Sequence, residues 1–335
     1  MVARQITNDL RRTRNSTLPG QSRPLRSKGI SFGTLARRAD GTWDTRRVEG
    51  LPPQSLLART AAEQPSLVVR PWQHSGTTVS LRELTATSLN QHHGIQATER
   101  FGVNTDPDDD GVMNELTRAD VTALTLFQAT LQVPGRVIPN DREIERAVLA
   151  GEELFERIGC TTCHMPSLPL DQDGWFYSEP GPYNPAGTLQ RPPANTARVD
   201  LTASSLPTPR LVPSRTSPPV VLVPAYSDFK LHDITDPVDT DAKEALDVNQ
   251  RPGSAAFFAG NRRFLTRRLW GLASQPAHFH HGLFTTIREA VLACGRGADT
   301  TTGVRGAERK RAGCGHRVPE VAAGAAAGNE GPGRG

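Results

Sequence analysis

Residues 160–164, Cys-Thr-Thr-Cys-His, constrain this chain more than any other stretch of its sequence. Two thiols at this spacing can add across the two vinyl groups of a porphyrin, and the histidine that follows can bind the iron from the proximal face. The motif therefore predicts covalent haem c attached through Cys160 and Cys163, with His164 as the fifth iron ligand. A core that forms around such a cofactor depends on it, so the haem-free chain is expected to be marginally stable.

A bare C-x-x-C pair has two other interpretations, a redox-active dithiol and half of a zinc site. The adjacent histidine, the lack of a second C-x-x-C or H-x-x-x-H, and the missing strand-turn pattern of a thioredoxin fold favour haem. Two further cysteines, Cys294 and Cys314, are isolated, and the four together do not form the pattern of a disulfide framework. Haem is therefore the favoured interpretation, and a metal- or partner-binding remnant without haem is the competing one.

Capping residues and apolar spacing predict three helices ahead of the motif and two short ones behind it. The third of these helices leads through a glycine directly into the Cys-Thr-Thr-Cys-His run, which places the motif at a helix C-terminus. The residues between 165 and 224 are proline-rich and aperiodic, so we expect a long functional loop region there. The predicted helices cover residues 80–93, 117–133, 141–158, 242–248 and 286–293.

Charge and hydropathy argue against two classes of partner. The net charge is +4, and no basic stripe interleaved with aromatic residues indicates nucleic-acid binding. No run approaches the roughly 18 apolar residues of a membrane span. The first residues are followed by arginines and contain no apolar h-region or small-residue cleavage site, so we expect no export signal in the sequence given.

Several stretches of the chain are shared with a known family. Gly151-x-x-Leu154-Phe155, leading into the cysteine motif and Pro166, looks like the first helix of a cytochrome c. Over about residues 65–293 the combination resembles the bacterial di-haem oxidoreductases related to di-haem cytochrome c peroxidases. The other shared stretches are Tyr226-Ser227-Asp228, Leu231-His232-Asp233, Leu269-Trp270-Gly271, Phe279-His280-His281-Gly282 and Arg288-Glu289-Ala290-Val291.

The resemblance implies a mainly α fold: a cytochrome c-like haem domain with long Pro-rich loops and little strand. It implies electron transfer or peroxidase-like oxidoreductase chemistry, with a redox partner protein or a small electron donor, and a periplasmic location for the parent family. A histidine in a shared stretch, His232, is the leading distal-ligand or haem-pocket residue. His280 and His281 resemble a haem-proximal His-Gly turn, with a purely structural turn as the alternative.

The chain departs from this family at two points. Members have two haem sites, whereas this sequence has one C-x-x-C-H, and they usually carry methionine after Leu-His-Asp, where this chain has Ile234. The resemblance therefore indicates a truncated member that retains the C-terminal haem domain, and catalysis that needs two haems is in doubt. The alternatives are a non-catalytic electron-transfer cytochrome module and an inactive apo fragment of the longer enzyme.

A second metal site is predicted in the acidic run at residues 106–111. Asp106, Asp108 and Asp110, followed by Gly111, match the first half of a calcium loop, because carboxylates at alternate positions converge once glycine allows a sharp turn. The twelfth position, where a bidentate acid is expected, holds Thr117. Calcium binding and a solvated acidic turn are both open interpretations of this run.

The composition changes abruptly after residue 293 to Gly, Arg and Ala without apolar periodicity. Read one nucleotide later, with third bases chosen to permit it, residues 293–322 can encode a His-x-Gly-Glu-Ala turn and an amphipathic helix, so we interpret 294–335 as an irregular, frameshifted tail. We therefore predict three parts: a poorly ordered N-terminal segment over 1–65, a haem domain with a helical N-terminal part over 66–293, and this tail. Cys294 and Cys314 are then without function.

Overall fold

A computed structural model describes residues 1–58, 60, 63–190, 196–234 and 243–297. Helices account for 29% of the structure and strands for 16%. The prediction of a mainly α fold with little strand is therefore wrong. The strands are two to eight residues long, and most pair with partners far away in the sequence. Such short strands show too little alternation of apolar and polar residues to be distinguished from loops in the sequence.

The contacts divide the chain into two units. The first unit contains Met1–Val133 and Leu168–Val223, and the second contains Pro134–Ser167 with the described part of Pro224–Gly335. The Cys-Thr-Thr-Cys-His motif belongs to the second unit and the acidic run at 106–111 belongs to the first. The predicted haem-domain boundaries at 66 and 293 stay a prediction.

The N-terminal residues, predicted to be poorly ordered, form a helix and a sheet. Helix α1 spans Val2–Asn15, and strands β1 (Ser22–Ser27), β2 (Ile30–Arg37) and β3 (Trp43–Asp44) form an antiparallel sheet in the order β1-β2-β3. Lys28 and Gly29, both with positive φ, make the two-residue turn between β1 and β2.

Helix α1 was missed because its exposed face is dense in arginine, which hides a regular apolar face. Val2, Ile6 and Leu10 recur every four residues and are buried, so one side of the helix packs into the first unit. The prediction of a poorly ordered segment over residues 1–65 is wrong for the described residues.

The described residues of the first unit form four more α-helices, two of which were predicted with their caps. They are α2 (Pro53–Leu56), α3 (Leu81–His93), α4 (Thr98–Phe101) and α5 (Arg118–Ala129). The Ser80 side chain accepts a hydrogen bond from the Glu83 N–H, and Thr117 and Asp120 form a reciprocal capping box. Ala86 of α3 and Val121 of α5 belong to one apolar cluster, which confirms both predicted helices.

The proline-rich stretch at 165–224 is not the uninterrupted loop that its composition predicts. Strand β4 (Leu168–Leu170) pairs antiparallel with β7 (Val221–Val223), and β5 (Phe176–Glu179) pairs antiparallel with β6 (Ala197–Asp200). Leu168 and Leu170 are buried, so even this three-residue strand contributes to the core of the first unit.

The second unit begins with the helix that carries the cysteine motif. Helix α6 spans Arg142–Arg157, as predicted, and is capped by the Asp141 side chain. The unit also contains a short 3-10 turn at Leu272–Ser274. Other strands and α-helices among its described residues are β8 (Leu231–Asp233), α7 (Ala255–Phe258), β9 (Arg263–Leu265) and α8 (Ile287–Gly297).

Strands β8 and β9 form an antiparallel ladder in which His232 lies opposite Phe264. Residues 243–248 are not helical, contrary to the prediction for 242–248, because Glu244 instead forms a β-bridge with Asn261. Residues 298–335, which include most of the predicted frameshifted tail and Cys314, lie outside the described residues. Among the described helices, none combines the length and the apolar character that crossing a membrane requires.

Candidate functional site

One tight turn carries the three motif side chains. Helix α6 ends at Arg157, Gly159 follows with φ +83°, and Cys160–Thr162 form a single 3-10 turn. The His164 N–H donates to the Cys160 carbonyl at 2.9 Å, which closes the turn. A glycine suits this junction because an L side chain rarely adopts such a φ. Cys160 and Cys163 are not joined by a disulfide.

A backbone carbonyl fixes the orientation of the His164 ring. His164 Nδ1 lies 3.1 Å from the Tyr226 carbonyl oxygen, and Tyr226 itself has a left-handed φ of 44°. A carbonyl oxygen can only accept, so Nδ1 must carry the proton and donate it. In the neutral ring the lone pair is then on Nε2. Burial lowers the pKa of His164 and so favours this neutral form.

Apolar side chains from α6 lie next to this histidine in the chain and in space. The Phe155 ring centroid is 6.2 Å from that of His164, with the planes inclined at 54°. Leu154 and Ile158 are half-buried neighbours of Phe155, and no residue of α6 is fully buried. The amphipathic helix α6 thus places apolar surface beside the motif. The rest of the polypeptide covers this surface only in part.

A second group of polar side chains meets at Cys163. Its sulfur, a carboxylate oxygen of Asp228 and a ring nitrogen of His232 all lie within 4.8 Å of one another. His232 Nε2 donates to Asp228 Oδ2 at 2.7 Å. Only 4% of the Asp228 side chain is exposed, against 29% for His232. We refer to Cys163, Asp228 and His232 as the Cys-Asp-His cluster.

The neighbouring backbone holds Asp228 in place. Its Oδ1 accepts from the Thr266 hydroxyl at 2.7 Å and from the Lys230 N–H at 2.9 Å, which leaves Oδ2 for His232. The Ser227 hydroxyl donates to the Thr266 carbonyl at 2.7 Å and ties the two segments together. The carboxylate is therefore preorganised before any ligand binds.

The electrostatics of the cluster favour a charged His232. Burial lowers the pKa of His232, but hydrogen bonds to the Asp228 carboxylate and the Cys163 thiol outweigh it and raise the pKa to about 9. His232 is therefore protonated near neutral pH and forms an ion pair with Asp228 in this structure.

Aromatic rings extend from the β8–β9 ladder. Phe264, opposite His232, stacks on His280 at 3.8 Å and 11°. Phe279 contacts both His280 and His281, with ring centroids 4.6 Å and 4.9 Å apart. The predicted His-Gly turn thus lies in an aromatic cluster. Trp270 contributes a hydrogen bond from its indole Nε1 to the Pro224 carbonyl at 2.6 Å.

The motif and His232 were predicted from the sequence, and the structure brings Cys163 and His232 together. No role was predicted for Asp228 or for the Tyr226 carbonyl. Asp228 precedes His232 by four residues, which was a usable signal, since a carboxylate near a predicted pocket histidine is a common orienting partner. A backbone carbonyl leaves no trace in the residue type, so the bond from Tyr226 to His164 could not be found.

The predicted calcium loop is a separate feature of the first unit. Carboxylate oxygens of Asp106, Asp108 and Asp110 lie within 4.8 Å of one another, and Asp106 accepts from the N–H groups of Asp110 and Gly111 at 3.2 and 2.9 Å. The nearby Glu115 carboxylate accepts a hydrogen bond from the Gln96 N–H at 2.8 Å. The acids converge as predicted, and calcium binding stays a prediction.

Comparisons with models of protein families, with curated proteins and with solved structures found no match.

The donor set fits haem c. Two thiols outside any disulfide and a histidine whose Nδ1 faces a backbone carbonyl occur on one turn, with apolar side chains of α6 beside them. The described part of the second unit also has little apolar core of its own. Among its described residues, the buried apolar side chains are Ala225, Phe229, Leu231 and Phe264.

Proposed function

We propose that this chain is a haem c-binding electron-transfer or oxidoreductase protein, resembling the C-terminal haem domain of a di-haem peroxidase-like oxidoreductase. The observation that carries the proposal is the hydrogen bond from His164 Nδ1 to the Tyr226 carbonyl at 3.1 Å, immediately after the two motif cysteines. A histidine that binds a metal generally donates its other ring N–H to a carbonyl or carboxylate, which fixes the tautomer and makes the ligand more basic.

Each residue of the motif has a distinct role in this proposal. Cys160 and Cys163 tether the macrocycle by thioether bonds, and His164 Nε2 binds the iron. The bound haem supplies one-electron redox chemistry. The Tyr226 carbonyl orients the His164 ring, and burial keeps that ring neutral, so its lone pair is not lost to a proton. The Phe155 ring on α6, 6.2 Å from that of His164, adds apolar surface beside it.

His232 fits the role of a pocket residue better than that of a distal ligand. Its Nε2 donates to Asp228, and it hydrogen-bonds the Cys163 thiol on the side of the motif itself. In this proposal the His232–Asp228 pair is a polar group beside one haem attachment point, where hydrogen bonding and local charge tune the reduction potential.

In this proposal the protein receives its electrons from a redox partner protein or a small electron donor. One readout separates catalysis from simple electron transfer, because peroxide can react only at an open or displaceable sixth iron position. High-spin ferric iron that changes its spectrum with peroxide supports a peroxidase-like enzyme. Low-spin iron indifferent to peroxide supports an electron-transfer module.

The proposal is tested by expressing the full chain behind a grafted export signal together with a haem c maturation system. We expect red protein that keeps its colour through acidic acetone extraction and gives a pyridine haemochrome spectrum with about one haem per chain. Cys160→Ser and Cys163→Ser each remove a thioether. His164→Gln removes the iron ligand and shifts the spectrum.

Cys294→Ser is the matched control, because it is the same substitution at a cysteine outside the motif, and we expect it to bind haem as the unsubstituted chain does. Colour that leaves with the acetone, or colourless protein from a maturation system that loads a control cytochrome, contradicts the proposal.

A further inference from the structure

We propose that the Cys-Asp-His cluster is a binding site for a divalent transition metal, of the zinc class, in the chain that has not received haem. The inference stands on the cluster's own geometry and does not require the haem proposal. Cys163 supplies sulfur, His232 nitrogen and Asp228 oxygen, and these donor atoms already lie within 4.8 Å of one another in a half-buried position.

The donor types select the class of ion. Thiolate, imidazole and carboxylate together suit Zn²⁺ and its neighbours Co²⁺ and Cd²⁺, whereas Ca²⁺ and Mg²⁺ require oxygen ligands. Bonds of about 2.0–2.3 Å in tetrahedral geometry place donor atoms about 3.3–3.7 Å apart. His232 Nε2 and Asp228 Oδ2 are 2.7 Å apart, so a metal needs them to separate by about 1 Å or less.

Neighbouring groups hold the ligands in position by hydrogen bonds, as is usual around a metal ion. Asp228 Oδ1 is occupied by the Thr266 hydroxyl and the Lys230 N–H, so the other oxygen points to the cluster. His232 lies on β8, whose ladder with β9 fixes its backbone. The His232 side chain is 29% exposed, which gives an ion access from solvent. Three protein ligands leave the fourth position for water or another donor.

Metal binding and haem attachment are mutually exclusive at Cys163. A metal takes the thiolate of Cys163, and the thiol proton and the proton between His232 and Asp228 pass to solvent. Attachment converts the same sulfur to a thioether, which no longer serves as an anionic ligand. The metal-bound form is therefore a form of the haem-free chain, and a metal at this site blocks one of the two haem attachments.

The experiment uses full-length chain made without haem c maturation, reduced, stripped with chelator and titrated with Co²⁺. We expect thiolate-to-cobalt charge-transfer absorption that saturates at one ion per chain and is displaced by Zn²⁺. Cys163→Ser should abolish this band. Asp228→Asn and His232→Gln should weaken Zn²⁺ binding by about tenfold or more.

Cys160→Ser and His164→Gln are the matched controls, since both damage the haem motif and neither removes a ligand of the cluster. They should retain the cobalt band. A second readout needs no variant: Zn²⁺ should slow alkylation of Cys163 more than that of Cys160, measured by peptide mass spectrometry.

The inference is overturned if the folded chain gives no cobalt band, or if Cys160→Ser loses the band as fully as Cys163→Ser. Equal protection of both cysteines by Zn²⁺ would also overturn it. Failure of the haem proposal would appear differently, as a normal cobalt site in a chain that never acquires covalent haem.

Discussion

His164 and His232 show how two histidines of one site come to differ in protonation, the first neutral and the second positively charged. Burial lowers the pKa of His164, whose Nδ1 faces a neutral carbonyl, whereas the carboxylate of Asp228 and the thiol of Cys163 raise the pKa of His232 to about 9. The first is suited to bind a metal through its lone pair. The second holds a positive charge next to a sulfur atom until a metal displaces its proton.

The stability of the haem-free, metal-free chain should depend on pH through His232. The pKa of its folded state is above the ordinary 6.5, so the stabilisation is fully present below about pH 6.5 and is lost as the pH rises through about 9. The loss in unfolding free energy is at most about 3 kcal/mol. Urea unfolding of reduced protein at pH 6, 7.5 and 9.5 measures it.

Other groups that face His232 must be separated from this effect. Cys163 interacts with His232, so the measurement is repeated in Cys163→Ser, and His164, which also interacts with His232, is replaced by Gln in a further variant. In Asp228→Asn, the unfolding free energy should fall less as the pH rises. A loss that persists unchanged in Asp228→Asn would contradict the role given to the ion pair.

At the scale of single elements, the first unit is organised around a buried arginine. The Arg82 side chain on α3 is fully buried and pairs with Glu99 at 2.6 Å and Glu179 at 3.5 Å, and both carboxylates are almost fully buried. Arg82 also donates to the Thr122 hydroxyl at 2.8 Å. One side chain therefore connects α3, α4, α5 and β5.

Removing this arginine should be far more costly than removing an exposed one. Arg82→Met leaves two buried carboxylates without their cation and should lower the unfolding free energy by about 3–5 kcal/mol. Arg12→Met is the matched control: Arg12 is 79% exposed and pairs with Asp9 at 3.3 Å, so its loss should cost about 1 kcal/mol or less. Urea unfolding followed by circular dichroism compares them, and equal effects would contradict the account.

The elements that could be predicted from sequence were those with local signals. Helices α3, α5 and α6 begin at side chains that cap their own backbone, so a few neighbouring residues determine where they start. Strands such as β4 could not be predicted, because the partner of Leu168 is Val223, far along the chain. The cysteine motif is local, whereas the contact of Asp228 and His232 with Cys163 depends on tertiary structure.

At the scale of the whole molecule, the two units differ in how much apolar core they have. Buried apolar side chains occur throughout the first unit, on α1, on the β1–β3 sheet and around α3 and α5. In the described part of the second unit, buried apolar side chains are few, and they include Leu231 and Phe264. Under the proposed function, haem supplies the apolar surface around which the second unit packs.

Haem should therefore protect the second unit selectively. In the haem-free chain, trypsin should cut first after Arg142, Arg146 or Arg157 on α6, which has no buried residue. Covalent haem should slow these cuts, whereas cuts in the first unit, such as the one after Arg26 of β1, should keep their rate. Peptide mapping over a time course measures both, and equal protection of the two units would contradict this explanation.

The tail hypothesis belongs to the same scale and is tested at the level of DNA. If residues 294–335 are read out of frame, the third bases of the coding sequence must permit the alternative peptide with its amphipathic closing helix. Third bases that forbid that peptide would remove the hypothesis, and Cys294 and Cys314 would then need another explanation.

The central claim is that a porphyrin is joined to Cys160 and Cys163 and that its iron is bound by His164. The most direct measurement is the mass of the proteolytic peptide that carries residues 160–164, taken from exported, haem-matured protein after reduction and treatment with an alkylating reagent. The account predicts that this peptide is heavier by one haem and carries no alkyl group on either cysteine. A peptide of unmodified mass, with both cysteines alkylated, would contradict it.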